Sequence, residues 1–488
     1  MRFLNTTTLQ FEQVPDSELH FDRNQYAILS HRWGADEDEV SYEDMLSSAD
    51  VSNKKCFDKI KGFCNLASSE NCRYGWVDTC CINKANSSEL SEAINSMYLW
   101  YSCSKICIVY LEDVPRRSML DSEWFDRGWT LQELIAPKVV SFFDHYWTPI
   151  ATKTEIVSLL LHKTRIPESV LSHATKPSAC SVAQRMSWAA QRITKRVEDR
   201  AYSLMGLFNI NMPMIYGERE KAFLRLQQHI IQKSKDESIF AWSMGHDTGA
   251  YSGLYAPSPS AHINCSDVVQ TPGSRGFTET NGVLSITLRL FLHSVGMYCA
   301  ILHCNIGAGA DAGDKVCIVV ARTSNWNEYI RERDPENVSW GTIPASSWGH
   351  LVGQQIRVPV EPNEPPLKIF YGFWLRTLQP PSHAKCHITI LSNCQAPETD
   401  YVCQYSSAQG NTGIVRISPK KKIQLQHFEM VRDSLDEVRI YQGLQSCAVA
   451  GKRQSIWTTT GIVRASSSVW VPIPGTQESH ERRSNRYR

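Results

Sequence analysis

The chain is organised around Arg127-Gly128-Trp129-Thr130-Leu131-Gln132-Glu133-Leu134, which is followed by Val139-Val140-Ser141-Phe142-Phe143. The first stretch predicts a short helix and the second a buried strand. Glu133 lies four residues after Trp129 and therefore shares its helical face. A carboxylate on a face that packs against a sheet costs free energy unless it is paired or used. Glu133 therefore either forms a salt bridge, to Arg127 or Arg32, or is the functional acid of a nucleotide-binding cleft.

Strands and helices alternate in the sequence before this stretch. Apolar runs predict strands, and an amphipathic stripe and a capped acidic turn predict helices. The predicted strands are Tyr26–Ser30, Tyr74–Asn83 with its exit loop, and Lys105–Leu111; the predicted helices are Lys54–Ala67 and one capped by Ser87 or Ser88. Residues 1–25 add an edge strand. This alternation predicts an α/β fold, a parallel sheet covered by helices on both faces.

The loop Ser30-His31-Arg32-Trp33-Gly34 ends the first predicted strand. A loop that follows a strand and precedes a helix lies at the carboxyl edge of a parallel sheet. Ligands of open α/β sheets bind at that edge. The loop is therefore the first candidate for a binding site.

The pattern changes twice after this region. From Glu155 it turns helical, with predicted helices that include Val182–Ile193 and Glu198–Phe208, and around Ser243–Ser260 it becomes rich in Gly, Ser and Pro. Apolar β-type runs follow, which predict an antiparallel, sandwich-like or barrel-like domain. The predicted domains are an α/β domain over 1–150, a helical extension over 151–245, a β-rich domain over 260–475 and a basic disordered tail over 476–488.

Composition narrows the function classes. The 488 residues carry a net charge of +1, which gives no electrostatic basis for binding nucleic acid or an anionic membrane. The N-terminal residues lack a secretory apolar region, and no apolar run reaches the roughly 18 residues of a membrane span. The 16 cysteines are scattered and form no Cys-x2-Cys knuckle, so we expect reduced thiols, no metal and a cytoplasmic protein.

Several segments, taken together and in this order, resemble the fungal heterokaryon-incompatibility (HET) domain. They are Tyr26–Gly34, Trp76–Asn83, Ser91–Tyr98 and Arg127–Leu134. Two further segments, Arg196–Gly206 and Met214–Glu218, resemble the region that follows this domain in many family members. The resemblance covers about residues 1–245, with small departures at Arg32, where Thr is frequent, and at Asn83-Lys84.

The resemblance implies a role in fungal non-self recognition and in the regulated cell death that follows fusion of incompatible cells. It implies other HET or incompatibility proteins as partners, and a homo-oligomer on activation. HET domains are also similar to Toll/interleukin-receptor (TIR) domains, some of which hydrolyse NAD. Their catalytic glutamate lies on a helix in a Trp-x-x-x-Glu-Leu-like context, which Trp129, Glu133 and Leu134 match. NAD+ is then a substrate, and no cofactor is required.

Cleavage of the nicotinamide–ribose bond passes through an oxocarbenium-like centre, and nicotinamide leaves as a neutral ring. One carboxylate is therefore chemically sufficient. The TIR-like reading makes Glu133 catalytic, assigns Ser30 and Arg32 to phosphate or ribose, and assigns Trp33 to ring stacking. The remaining predicted binding residues are His31, Gly34, Asp78 and Trp129.

Four of these residues also have a purely structural interpretation. Trp33 is then a buried aromatic, Ser30 closes a strand end, and Asp78 is a strand-end or turn residue. Arg32 is then a partner of the acidic run Asp36–Glu39.

Two other function classes compete with the hydrolase. The chain is alternatively a binding and assembly module without chemistry, which signals by proximity. A cysteine hydrolase would need Cys80 or Cys81 beside His31, and no local spacing selects that pair.

Overall fold

The computed structural model describes residues 1–14, 26–47, 51–243, 251–274, 276–294, 297–307, 315–323, 328–332, 341–343, 351–362, 372–376, 386–391, 401–408, 412–419, 427–432, 438–443 and 457–463. The chain forms two compact units. The first comprises Met1–Ser243, Tyr255–Thr278 and Leu302–Val316, and the second comprises Met244–Leu254, Glu279–Ile301 and Cys317–Arg488. These limits differ from the predicted domain ranges, which stay predictions. The predicted tail over 476–488 lies outside the described residues.

A seven-stranded sheet forms the centre of the first unit. Its strands are β1 (Arg2–Asn5), β2 (Phe11–Gln13), β3 (Tyr26–His31), β4 (Tyr74–Trp76), β5 (Ile106–Tyr110), β6 (Val140–Phe143) and β7 (Pro149–Thr152), in the order β2-β1-β4-β3-β5-β6-β7. The central strands β4, β3, β5 and β6 are parallel. The predicted parallel sheet is confirmed for these four strands, but the sheet as a whole is mixed. β1 pairs antiparallel with β4, and short connections make β2 antiparallel to β1 and β7 antiparallel to β6.

Helices of the first unit begin and end close to the predicted positions in its first half. They are α1 (Tyr42–Leu46), α2 (Phe57–Ser69), α3 (Ser87–Cys103), α4 (Thr130–Ile135), α5 (Val157–Thr164), α6 (Glu168–Leu171), α7 (Val182–Ser187), α8 (Asp199–Tyr202) and α9 (Lys221–Lys233). The side chain of Asn86, not of Ser87 or Ser88, caps α3 by accepting from the backbone N–H groups of Ser88 and Glu89.

The predicted helix Val182–Ile193 ends early, at Ser187. Ile193 instead donates its backbone N–H to Asp126 O at 2.6 Å, and Gly128 N donates to Ile193 O at 2.9 Å. Backbone groups bonded to another segment cannot continue a helix. The predicted helix Glu198–Phe208 is likewise shorter: α8 is followed by a separate 3-10 turn at Gly206–Phe208.

The two faces of the sheet are covered by different helices. Consecutive residues of β4 point to opposite faces. A Cβ on Gly75 would lie 2.7 Å from Phe63 of α2, whereas the ring of Trp76 meets that of Trp100 of α3 at 5.5 Å. Every residue of β3 is buried, as expected for a strand covered on both sides. The predicted two-sided helical cover is therefore confirmed for the central strands.

The remaining strands are antiparallel wherever their pairing is described within one unit. They are β8 (Tyr251–Ser252), β9 (Val268–Gln270), β10 (Phe277–Thr280), β11 (Val283–Ser294), β12 (Met297–Ile306), β13 (Lys315–Arg322), β14 (Tyr329–Glu332), β15 (Gly341–Ile343), β16 (Gly353–Pro359), β17 (Gly372–Arg376), β18 (Cys386–Leu391), β19 (Tyr401–Ala408), β20 (Thr412–Pro419), β21 (His427–Arg432), β22 (Val438–Gly443) and β23 (Trp457–Val463).

In the second unit, β11 pairs with β16, and a further sheet runs β19-β20-β17-β22-β23. The predicted antiparallel, β-rich character of this region is confirmed, and the sandwich-like arrangement stays a prediction. Among the residues that the structure describes, no helix is both long and apolar enough to cross a bilayer.

Candidate functional site

The chain leaves β3 and β5 in opposite directions across the sheet. From β3 it passes through α2 to β4 on one side, and from β5 it passes through α4 to β6 on the other. The loops at the carboxyl ends of these neighbouring strands therefore diverge and leave a crevice between them. This is the topological switch point at which open α/β sheets bind ligands.

A cavity of about 360 Å³ lies at this crevice. It is lined by Arg32, Trp33, Gly34, Ala35, Tyr110, Leu111, Glu112, Asp113, Arg116, Ser122 and Trp124. Three residues predicted from the sequence, Arg32, Trp33 and Gly34, are on its wall. Two arginines suit phosphate oxygens, and the aromatic rings suit a base or a nicotinamide. The volume is in the lower part of the range of small-molecule sites, enough for part of a dinucleotide.

Glu133 lies behind this wall, next to Ser30 of β3. Its side chain is buried, with 6% of the residue surface exposed, and it accepts a hydrogen bond from Ser30 Oγ at 2.5 Å. Ser30 Oγ in turn accepts from Trp124 Nε1 at 2.8 Å. Trp124 lines the cavity, so two hydrogen bonds connect the cavity wall to the buried acid. Glu133 itself is not on the wall.

The structural interpretations paired Glu133 with Arg127 or Arg32, and Arg32 with the acidic run Asp36–Glu39. Neither interpretation matches the ion pairs of the described residues. Arg32 Nη1 pairs with Glu123 Oε2 at 2.6 Å, and therefore neither with Glu133 nor with the acidic run. That run has other partners: Asp36 binds Lys195, Asp38 binds Lys55 and Glu39 binds Lys59. Within the described part of the chain, Glu133 forms no ion pair with Arg127 or any other cation at 4.0 Å or less.

Burial, followed by the nearby Asp78 carboxylate, raises the pKa of Glu133 to about 8. The hydrogen bond from Ser30, the charge of Arg127 and the hydroxyl of Tyr101 act in the opposite direction. Desolvation is thus the dominant cause, as expected for a carboxyl group beneath aromatic rings. At neutral pH this acid is mostly protonated.

Trp33 links Asp78 to two cations. Its Nε1 donates to Asp78 Oδ2 at 2.8 Å, Lys84 Nζ lies 3.7 Å from the centre of its ring, and Arg127 Cζ lies 6.0 Å from it. The ring is half-exposed rather than a fully buried aromatic. Burial raises the pKa of Asp78, while Lys84 and Trp33 counteract that shift. One face of Trp33 is therefore already occupied by a cation, which limits stacking to its free surface.

His31 points to the opposite face of the sheet from Ser30, because the two are consecutive in β3. Its ring nitrogens lie 3.9 Å from Glu39 Oε1 and 4.0 Å from Asp78 Oδ1. Neither nitrogen has a hydrogen-bond partner among the described residues. Burial, followed by Lys59 and Arg127, holds the pKa of His31 well below its usual value, so the imidazole is neutral.

The cysteine pair offers no activated nucleophile. Cys80 and Cys81 are buried, and the pKa of Cys80 lies well above its usual value because of its hydrogen bond with Cys81 and its burial. A protonated, buried thiol is a poor nucleophile. In the described residues, no group of three or more His, Cys, Asp or Glu side chains could hold a metal ion.

Trp129 lies apart from the other predicted residues. Burial raises the pKa of the Asp199 carboxyl group in α8, and hydrogen bonds from Tyr216 and from Trp129 counteract that shift. The Trp129 side chain is therefore engaged with the segment that follows the sheet. Five residues around the site were not predicted from the sequence: Trp124, Tyr110, Lys84 and Arg116 at the crevice, and Tyr101 beside Glu133. Of these five, only Lys84 could have been found from its position in the sequence, because it directly follows the predicted exit loop of the second strand.

Sequence comparisons show which proteins the chain is similar to. Over 229 residues the chain is 44% identical to the vegetative incompatibility protein HET-E-1 of Podospora anserina, an alignment that covers 44% of this chain and 16% of that protein. The chain thus spans about a sixth of the length of this relative. No solved structure matches significantly. Residues 26–119, which include β3 and the first part of the crevice, match the family model of the heterokaryon incompatibility protein (HET).

Proposed function

We propose that this chain acts in heterokaryon incompatibility, in non-self recognition that leads to regulated cell death, and that its first unit hydrolyses NAD+ at the crevice between β3 and β5. The similarity to a vegetative incompatibility protein supports the biological role. The observation that carries the chemical part is the chain of contacts from the cavity through Trp124 and Ser30 to the buried Glu133.

The reaction cleaves the bond between C1′ of ribose and the nicotinamide nitrogen, whose electron pair leaves with the ring. Water adds to C1′ and releases one proton, so the products are nicotinamide, ADP-ribose and H⁺. Positive charge moves onto the ribose in the transition state. A carboxylate directed at this charge in a site that excludes water stabilises it strongly.

Glu133 supplies that carboxylate once it is ionised. Its pKa of about 8 keeps most of it protonated in the free protein at neutral pH. The cationic nicotinamide ring of bound NAD+ favours the ionised form, because an opposite charge nearby lowers a carboxyl pKa. The value of kcat/KM should therefore rise with pH through about 8, where the free protein ionises.

Arg32 and Arg116 on the cavity wall offer donors to the pyrophosphate, and the free surface of Trp33 offers a stacking partner. Trp124 separates the cavity from Ser30 and Glu133. Substrate therefore reaches Glu133 only after Trp124 moves. This requirement predicts slow turnover in the isolated protein.

The test is nicotinamide release by the purified full-length chain at high NAD+ concentration, with and without a crowding agent. Glu133→Gln should lower the rate by about 10²–10³-fold, the usual effect of removing one transition-state group. Glu92→Gln, an exposed position on α3, is the matched control. The hydrolase proposal fails if wild-type protein releases no more nicotinamide than Glu133→Gln under both conditions.

One observation favours a second candidate, a non-catalytic assembly module that signals by proximity. Glu133 is buried and absent from the cavity wall, as a carboxyl group with a purely structural role would be. In that case Glu133→Gln and wild type would be equally toxic in fungal cells and would form assemblies of equal size. Loss of toxicity with unchanged assembly would exclude the module in favour of the hydrolase.

A further inference from the structure

The helix that carries Glu133 is too short to be held by its own hydrogen bonds. α4 contains six residues, and its N-cap residue, Trp129, provides no side-chain cap. Isolated helices of this length are unstable in water. The position of Glu133 therefore depends on contacts that other segments make with the two ends of α4.

Arg192 holds the first end. Its Nη1 donates to Arg127 O at 2.8 Å and to Oγ1 of Thr130, the first residue of α4, at 2.9 Å. Its Nε donates to Trp188 O at 3.3 Å, so the guanidinium connects two segments. Burial lowers the pKa of Arg192 to about 10, and the nearby carboxylates of Asp126 and Glu133 counteract this. The arginine therefore interacts electrostatically with Glu133.

Lys153 holds the second end. It is 1% exposed, and its Nζ donates to Leu134 O at 3.2 Å and to Pro137 O at 2.5 Å. His173 Nε2 lies 3.2 Å from the same Nζ. A cation at the carboxyl end of a helix also interacts favourably with its dipole. Leu134 follows Glu133 directly, so this contact fixes the turn on which the acid lies.

Burying Lys153 and half-burying Arg192 has a free-energy cost that ordinary packing does not require. In the part of the chain that the structure describes, neither Arg192 nor Lys153 forms an ion pair with a carboxylate within 4.0 Å. Apolar residues would fill the same space without that cost. Both cations come from the segment after residue 150, beyond the matched residues 26–119, and both act on one six-residue helix.

We infer that Arg192 and Lys153 are positioning residues that hold Glu133 against Ser30 and beneath the crevice, so that the site is incomplete without the segment from Lys153 to Arg192. The catalytic meaning of this inference rests on the proposed function. The positioning itself does not, and it can be measured without NAD+.

The experiment follows the titration of the Glu133 carboxyl group in the labelled full-length protein, with its signal identified by loss in Glu133→Gln. Arg192→Met removes a nearby cation, so the midpoint should rise by at least ~0.5 pH unit. Lys153→Met removes the donor to Leu134 O, whereas Pro137 O keeps His173 Nε2 at 2.8 Å, so the last turn of α4 is held less tightly and Glu133 is less fully shielded from solvent. Weaker desolvation should then lower the midpoint by at least ~0.5 pH unit. A purely structural role would lower the melting temperature without these opposite shifts.

Two conservative variants and two variants at exposed cations serve as controls. Arg192→Lys and Lys153→Arg keep the charge and should leave the midpoint near that of wild type. Arg200→Met and Lys138→Met, both exposed, should not move it. Burial lowers the pKa of Lys153 itself to about 8, so the Glu133 carboxyl signal must be followed rather than a global probe.

The other groups around Glu133 are Asp78, Ser30, Arg127 and Tyr101, and they are unchanged in these variants. Midpoints within ~0.2 pH unit of wild type in both folded Met variants would overturn the inference. If those variants do not fold, Thr130→Val tests the inference. It removes the hydroxyl that accepts from Arg192, so Arg192 can move away and the midpoint of the Glu133 titration should rise. An unchanged midpoint there would also overturn it. Shifted midpoints without nicotinamide release would leave the positioning intact and reject the hydrolase.

Discussion

Ser30 satisfies two buried polar groups with one hydroxyl. It donates to Glu133 Oε2 and accepts from Trp124 Nε1, and none of the three residues is more than 6% exposed. Buried polar atoms without a partner cost about 1–3 kcal/mol each. The sequence identified Ser30 and Glu133 as candidates. It gave no sign of Trp124, because this contact joins residues that are 94 positions apart.

Glu133→Gln should remove the pH dependence of the free energy of unfolding that comes from the ionisation of Glu133. The folded-state pKa of Glu133 is raised from 4.5 to about 8, so its contribution is complete below about pH 4.5 and is lost as pH rises through 8. At pH 9 we expect the variant to be more stable than wild type by a few kcal/mol, at most ~5 kcal/mol for a pKa raised from 4.5 to about 8. Urea unfolding at pH 5, 7 and 9 measures this. Glu92→Gln should parallel wild type, and equal slopes for all three proteins would contradict the assignment.

Ser30→Ala should destabilise the first unit and raise the pKa of Glu133. The substitution removes a hydrogen bond that lowers this pKa and leaves the Trp124 N–H without an acceptor. We expect a loss of about 1–3 kcal/mol, together with an upward shift of the Glu133 midpoint. Denaturant unfolding and carboxyl titration measure the two effects. Ser68→Ala, at an exposed position of α2, should change neither. A downward shift in Ser30→Ala would show that Ser30 does not act on Glu133.

At the scale of elements, strands were easier to predict than the helices after residue 155. The apolar runs of β3, β5 and β6 are strands within one residue of the predicted limits, and every residue of β3 and β5 is buried. The predicted helices Val182–Ile193 and Glu198–Phe208 are both shorter in the structure. In the first, the backbone of Ile193 bonds to the loop before α4. In the second, Gly206 packs closely against Tyr98 of α3. Such tertiary partners override periodicity and are not visible in it.

Gly206→Ala tests the contact between the 3-10 turn after α8 and helix α3. A Cβ on Gly206 would lie 2.2 Å from Tyr98 Cβ and 2.7 Å from Tyr98 Cγ. The inner part of the Tyr98 side chain cannot rotate away, so α3 or the turn must move. We expect a loss of about 1–3 kcal/mol in denaturant unfolding. Arg200→Ala, at an exposed position of α8, is the control. Equal stability of Gly206→Ala and wild type would show that these elements are not closely packed.

At the scale of the molecule, the first unit is not a continuous stretch of chain. Residues 255–278 and 302–316 belong to it together with residues 1–243. Glu237, which is fully buried, accepts from the backbone N–H of His303 at 2.8 Å and lies 3.0 Å from its Nδ1. Ser181 Oγ donates to Val268 O at 2.6 Å. The Gly-, Ser- and Pro-rich composition around residue 250 gave no indication that residues 255–278 and 302–316 belong to the first unit.

Glu237→Ala should therefore destabilise the first unit although it lies far from the crevice. The substitution removes a buried charged acceptor and leaves two donors of His303 unsatisfied. We expect a loss of about 3 kcal/mol. Thermal unfolding followed by tryptophan fluorescence measures it, since several of the fully buried tryptophans, Trp76, Trp124 and Trp242, belong to this unit. Glu220→Ala, at an exposed position, should have little effect. An unfolding profile of Glu237→Ala that matches wild type would mean that residues 302–316 contribute nothing to the unit.

The sequence by itself determined the alternation of strands and helices, the loop at the end of β3 and Glu133 as an acid on a short helix. These features are local, since apolar periodicity, caps and strand ends are read from neighbouring residues. Only the tertiary structure decided that β1 and β7 run antiparallel to the central strands, that Trp124 lies between the cavity and Glu133, and that Arg192 and Lys153 hold α4. Those contacts join residues distant in the chain. Their partners are selected by packing and by the need to satisfy buried polar groups, which no local pattern records.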